Sequence, residues 1–301
     1  MHKLRRRSVV LAGEVLAMLP FNGIRRPVFI IGCGRSGTTI LGNSLSKHPE
    51  ITYLNEPRRI WFAAYPETDI WTRKAAARSG KVVLTETDAV QKKSIKLSRL
   101  FRLATIITGK PVLIEKLPIN SFRLKFIHSI FPDARFIHIY RNGLEVAESM
   151  AKASLRGKWF SSNTYKWYQL IQLASSQLDT AGLAGLCESY FDKGLLEWRL
   201  SMKAVSDFLR KMPEELYCEV SYDEFVDQPV ATINRLLAFI GLREDEQLNN
   251  FVLNSVSRKS GKMGLDDLTE KARIIGGELL LRSIEANADS RKPGHVQTLA
   301  V

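Results

Sequence analysis

FIIGCGRSGTTILGNSL, residues Phe29–Leu45, is the stretch whose reading decides the fold. An apolar run leads into a Gly-rich turn and then into residues at helical spacing, so the segment reads as strand, loop and helix. Such a unit offers a ring of backbone N–H groups beside a helix N-terminus, which makes it an anion site by construction. Gly32–Thr39 reads GCGRSGTT, against the triphosphate-binding pattern G-x-x-x-x-G-K-[ST]. The glycines have the right spacing, but Thr38 stands where that pattern has lysine. Positive charge comes instead from Arg35 inside the loop, and Thr38 and Thr39 add hydroxyl donors.

Outward from this unit, apolar strand-like runs alternate with helical patterns. PVFII (27–31), ITYLNEP (51–57), KPVLIEK (110–116), ARFIHIY (134–140) and ELYCEVSY (215–222) read as strands. Helices are expected over 38–48, 121–131 with Ser121 as cap, 143–154, 195–212, and 230–242 ending at Gly241. This alternation predicts βαβ units: an α/β, P-loop-type three-layer fold with a central, mostly parallel sheet flanked by helices. No repeat or linker divides the chain. The organisation expected is a basic N-terminal segment at 1–26, one domain at 27–285 and a polar tail at 286–301. Insertions at about 60–110 and 155–195 would shape a cleft. Trp167 and Trp198 sit at helix spacing among apolar residues and read as core.

A chain of 301 residues, 45% hydrophobic and 25% charged, can bury a large core. Its net charge of +13 predicts either anionic partners (nucleic acid, a membrane surface or a polyanionic small molecule) or simply a basic solvated surface. Cys33, Cys187 and Cys218 lie at unrelated spacings and form neither a metal pattern nor a disulfide framework, which fits a reducing compartment. No stretch reaches the roughly 18 apolar residues of a spanning helix. The start, MHKLRRRSVVLAGEVLAMLPF, is basic and partly apolar but interrupted by Glu14. It reads first as a helix packed on the core, then as a basic amphipathic segment on a membrane surface, and last as a cleaved signal.

A magnesium-dependent triphosphatase would need an acidic metal ligand at the end of a hydrophobic strand. Here ARFIHIYRNG ends in Arg141, and PVLIEK ends in Glu115–Lys116. Basic strand ends suit an anion neutralised by protein cations alone, with no metal required.

These residues resemble a known family. FIIGCGRSGTTILGNSLSKHPEI is similar to the 5′-phosphosulfate loop of sulfotransferases that use 3′-phosphoadenosine 5′-phosphosulfate (PAPS). FPDARFIHIYRNGLEVAESM resembles their second signature, a strand, then R-[DN]-G, then a serine eight residues after the arginine. Arg141 and Ser149 hold those two positions. The resemblance runs through LIEKLPINSFRLKFI and VSYDEFVDQPVATINRLLAFIGL, over roughly residues 27–262, and is nearest to the tyrosylprotein and carbohydrate branch, because Glu56 in NEPRR follows the loop as it does there.

The resemblance implies a division of roles. Gly34, Arg35, Ser36, Gly37, Thr38 and Thr39 would hold the 5′ end of the donor, and Arg141 with Ser149 its 3′-phosphate. Sulfuryl transfer asks the protein to position, to accept a proton and to offset departing charge. Glu56 is the implied base and Lys116 the implied contact of the leaving oxygen. Arg58 would touch the acceptor and Tyr222 the adenine. The basic loop SRKSGKMG (257–264) would fold over the 3′-phosphate through Arg258, Lys259 and Lys262, though methionine stands where the family often has tryptophan.

The expectation is therefore a metal-independent, PAPS-dependent sulfotransferase, cytoplasmic and able to associate with a membrane. Its acceptor hydroxyl is expected on a carbohydrate or glycolipid, with tyrosine or a small phenol or alcohol as the alternative. A P-loop kinase or triphosphatase and a nucleic-acid-binding protein are the competing readings. The missing lysine opposes the first, and the absence of any recognisable binding module opposes the second. The oligomeric state is not encoded in these patterns.

Overall fold

The computed structural model describes residues 22–162, 164–257 and 263–289. The expected N-terminal helix, the loop cations Arg258, Lys259 and Lys262, and nearly all of the polar tail lie outside the described residues. Strands β1 (Val28–Ile31), β2 (Ile51–Asn55), β3 (Val112–Lys116), β4 (Arg135–Tyr140) and β5 (Tyr217–Ser221) form one sheet in the order β2-β3-β1-β4-β5. Every pairing is parallel, with Ile30 opposite Lys116 and Ile31 opposite His138. The expected α/β architecture is present, and its sheet is wholly rather than mostly parallel.

The central strand shows why three layers form. All four residues of β1 are buried, as a strand covered on both faces requires. Val28 and Ile30 face one apolar cluster with Leu41, Phe225 and Leu236; Phe29 and Ile31 face another with Trp61, Phe101 and Trp198. Each such side chain removed from water contributes about 1.5–3 kcal/mol, so alternate positions hold a helical layer on each face. On the first face lie α1 (Thr38–Leu45), α8 (Tyr222–Asp227), α9 (Pro229–Ile240) and α10 (Glu246–Ser255). The second carries α2 (Arg58–Ala64), α3 (Gln91–Thr108), α4 (Leu124–Ile130), α5 (Gly143–Leu155), α6 (Thr164–Ser175), α7 (Tyr190–Leu209) and α11 (Glu270–Asp289).

Some elements differ from the sequence reading. Ser121 does not cap the helix after it. It lies in a 3-10 turn, Pro118–Phe122, and α4 begins only beyond Arg123. The Ser121 hydroxyl instead accepts the Gly32 N–H at 2.9 Å, tying the start of the glycine loop to β3's connection. The helix expected from 195 starts at Tyr190, where Ser189 and Asp192 form a reciprocal capping box. Between 60 and 110 the chain holds α2 and α3, and between 155 and 195 it holds α6.

Strand order places the site. The chain leaves β1 toward β2 on one side, and leaves β4 toward β5 on the other. The carboxyl ends of β1 and β4 therefore flank a topological switch point, where open α/β sheets bind ligands.

Candidate active site

The loop after β1 has a fixed shape. Gly32 has φ +143°, and a Cβ there would lie 2.2 Å from the Ile139 carbonyl oxygen of β4. Gly37, the N-cap of α1, has φ +97°, and a Cβ would meet the Tyr222 ring at 2.6 Å. Arg35 between them has φ +73°, unusual for a residue with a side chain. Residues of positive φ interspersed along a short loop are the backbone feature of concave N–H arrangements that receive anions. The Ser36 hydroxyl is buried there with no hydrogen-bond partner among the described residues.

A cavity of about 590 Å³ opens beside this loop, a size suited to a ligand larger than a lone phosphate. Arg35, Gly37, Thr38 and Thr39 line one side, and Arg141, Ser149 and Tyr222 the other. Arg35 Nε donates to Ser149 Oγ at 3.0 Å, joining the two sides. Arg141 leaves the end of β4 and is held from three directions. Its Nε donates to Glu145 Oε2 at 2.7 Å, its guanidinium lies 4.2 Å from the Tyr222 ring centroid, and its carbonyl accepts the Trp198 indole N–H. Glu145 also accepts the Met263 N–H, and Asn142 donates to the Met263 carbonyl.

The lysine missing from the loop returns from a neighbouring strand. Lys116 Nζ, at the end of β3, donates to Thr39 Oγ1 at 3.0 Å and to Glu56 Oε1 at 3.1 Å. Glu56 follows β2 with φ +48°, and its other oxygen pairs with Arg58, which stacks on Trp71. Burial raises the Glu56 carboxyl, but the Lys116 ammonium and Arg58 guanidinium outweigh it, and the net direction is below the ordinary value. On β3, one residue before Lys116, Glu115 turns the opposite way, into the core. There desolvation outweighs hydrogen bonds from Trp61 and Asn120 and pushes its carboxyl up to about 8. Two carboxylates near the same Lys116 are thus moved in opposite directions, Glu56 down and Glu115 up. Among the described residues no group of three or more His, Cys, Asp or Glu side chains is arranged to hold a metal ion.

The structure thus gathers Arg35, Gly37, Thr38, Thr39, Arg141, Ser149 and Tyr222 around one cavity, with Lys116, Glu56 and Arg58 reached through Thr39. Gly34 and Ser36 do not line that cavity: Ser36 is buried, and Gly34 lies under Trp159. Trp198 is fully buried, as expected of a core residue. The sequence reading missed Glu145, although an acidic residue four positions after Arg141, in the first turn of the helix that follows it, is a readable pairing signal. Trp159 had no such signal, because its partners are distant in sequence.

A profile of the sulfotransferase family matches residues 27–246. The protein-tyrosine sulfotransferase 2 of Gallus gallus is 28% identical over 192 residues, 60% of this chain and 50% of that protein. The nodulation protein NoeE of Sinorhizobium fredii is 30% identical over 138 residues, 44% of this chain and 31% of that protein. The chain spans half or less of the length of these relatives. Among solved structures, the sulfotransferase STF9 of Mycobacterium avium superposes with a TM-score of 0.50 at 14% identity, covering 97% of this chain and 81% of that one, a likeness of fold alone. No helix among the described residues is long and apolar enough to cross a membrane.

Proposed function

This chain belongs to the sulfotransferase family, and from that premise we propose that it moves the sulfuryl group of PAPS to an acceptor hydroxyl. One observation carries the reading: Lys116 Nζ stands between Thr39 of the anion loop and the Glu56 carboxylate. Cation, anion cradle and base are therefore adjacent.

The donor, when bound, supplies a sulfuryl group on a phosphate leaving group. The loop N–H groups with Arg35, Thr38 and Thr39 hold its 5′ end, and Arg141 with Ser149 its 3′-phosphate, across the 590 Å³ cavity. Glu56, ionised because its two cations hold its affinity low, accepts the acceptor's proton. Lys116 offsets charge at the departing oxygen. As it does so, its hold on Glu56 weakens, and the carboxylate becomes a better base when the proton must move. Arg141 is fixed by Glu145 and Tyr222 before any ligand arrives, so little side-chain ordering remains to be done on binding.

The acceptor reading keeps two classes. A carbohydrate or glycolipid hydroxyl comes first, from the basic and partly apolar N-terminus; tyrosine comes second, favoured by the protein-tyrosine sulfotransferase among the relatives. The test is transfer of labelled sulfuryl from PAPS to a panel of glycolipids, oligosaccharides, tyrosine peptides and phenols. Glu56→Gln is expected to lower transfer about 100-fold or more while spent-donor binding is kept. Full transfer by that variant would remove Glu56 as base, and no transfer to any hydroxyl in the panel by the unaltered chain would remove the acceptor classes named.

A further inference from the structure

The anion loop is pressed from outside by a residue without an assigned role. Trp159 follows α5, and its six-membered ring lies so close over Gly34 that a Cβ there would sit 2.4 Å from Cζ3's neighbour Cη2. The ring thus rests on bare backbone, and neither it nor Gly34 lines the cavity that Arg35 and Gly37 line. The indole is itself fixed. Its Nε1–H donates to Glu197 Oε2 at 3.1 Å, and Glu197, almost wholly buried on α7, pairs through its other oxygen with Lys166 of α6. Lys166 Nζ also lies 4.6 Å from the Trp159 ring centroid. Two helices therefore aim one flat ring at one glycine.

The backbone explains why such a clamp is needed. Arg35 at φ +73° and Trp159 at φ +57° both hold left-handed conformations that L-residues avoid. Such conformations persist only where the surroundings over-determine them. A flip of the Gly34–Arg35 peptide would reverse the direction of its N–H and so change the loop's concave arrangement. The indole occupies the space beside Gly34 that a side chain there would fill, and so crowds that peptide.

We propose that Trp159 is a positioning residue: its indole, anchored to Glu197 and Lys166, presses Gly34 and so holds the loop Gly34–Gly37 in its anion-binding conformation. The ligand class is that of the proposed function, a phosphosulfate or phosphate ester, and this inference rests on that reading for the ligand but not for the clamp itself. Trp159 touches no reacting atom; it acts through the loop.

Two readouts separate the clamp from the donor reading. In the ligand-free protein, amide hydrogen exchange over Gly34–Gly37 is expected to quicken about tenfold or more in Trp159→Ala, and to stay near the unaltered rate in Trp159→Phe, which keeps a flat ring. In titrations with 3′-phosphoadenosine 5′-phosphate (PAP), Trp159→Ala is expected to weaken binding about tenfold and Trp159→Phe by about threefold or less. Gly34→Ala should weaken binding in the unaltered chain but add little in the Trp159→Ala background, because its Cβ then meets no ring. Exchange and affinity both within about twofold of the unaltered chain in Trp159→Ala would overturn the proposal, as would full additivity of the two substitutions. Should Trp159→Ala not fold, Trp159→Phe against Trp159→Leu decides it: equal exchange in the two overturns the clamp. Absent PAP binding by the unaltered chain would remove the donor reading, while hydrogen exchange still decides on Trp159.

Discussion

At the scale of single residues, β3 sets two neighbouring side chains on opposite courses. Lys116 is buried and turned toward Thr39 and Glu56, whereas Glu115 is enclosed among Trp61 and Asn120. Burial raises Glu115 from an ordinary 4.5 to about 8, so the folded protein keeps a proton there that the unfolded chain loses. Between those values the unfolded state binds fewer protons, and stability falls as pH rises. The contribution is whole below pH 4.5 and is lost as pH approaches 8. Glu115→Gln is expected to flatten that slope in thermal unfolding followed from pH 5 to 8; an unchanged slope would place the titration elsewhere. The roles proposed for Glu56 and Lys116 came only from the family resemblance, since a Glu before a proline and a Lys at a strand end have common structural uses. Trp159 was not legible at all, because Gly34 and Glu197 reach it only after the chain has folded.

At the scale of elements, the strands were readable and several helices were not. A strand buried on both faces is a short apolar run bounded by turns, and VFII or RFIHIY cannot hide that pattern. In α3, QKKSIKLSRLFRLATIIT, cations dilute the signal, although Leu97, Leu100, Phe101 and Thr105 keep helical spacing on the buried side. In α11 the pair Gly276–Gly277 breaks the periodicity, and Gly277 bends the helix at φ +62°. The junction of β1 with its loop is the least forgiving point of the sheet. Gly32→Ala would place a methyl against the Ile139 carbonyl in a left-handed backbone. A loss of at least about 2 kcal/mol is expected, measured by denaturant unfolding. An unaltered midpoint would mean that the approach of β1 to β4 is looser than described.

At the scale of the whole molecule, strand order and charge converge on one place. The order β2-β3-β1-β4-β5 opens the switch point between β1 and β4, and there Arg35, Lys116 and Arg141 stand in a chain of net charge +13. The fold class and this placement were both legible, because a strand–glycine loop–helix unit implies its own position in an open parallel sheet. The acceptor of the proposed reaction was not, since specificity generally sits in connecting segments that no periodicity constrains. In the proposed function the loop and Arg141 hold a 3′-phosphorylated nucleotide without metal. The measurement that tests it is a calorimetric titration with PAP in EDTA, run beside ATP with magnesium and repeated with Arg141→Ala. The account predicts PAP binding that EDTA leaves intact and that Arg141→Ala weakens about tenfold or more, removing one charge-assisted phosphate contact. Binding of ATP–magnesium alone, or PAP binding indifferent to Arg141, would contradict it.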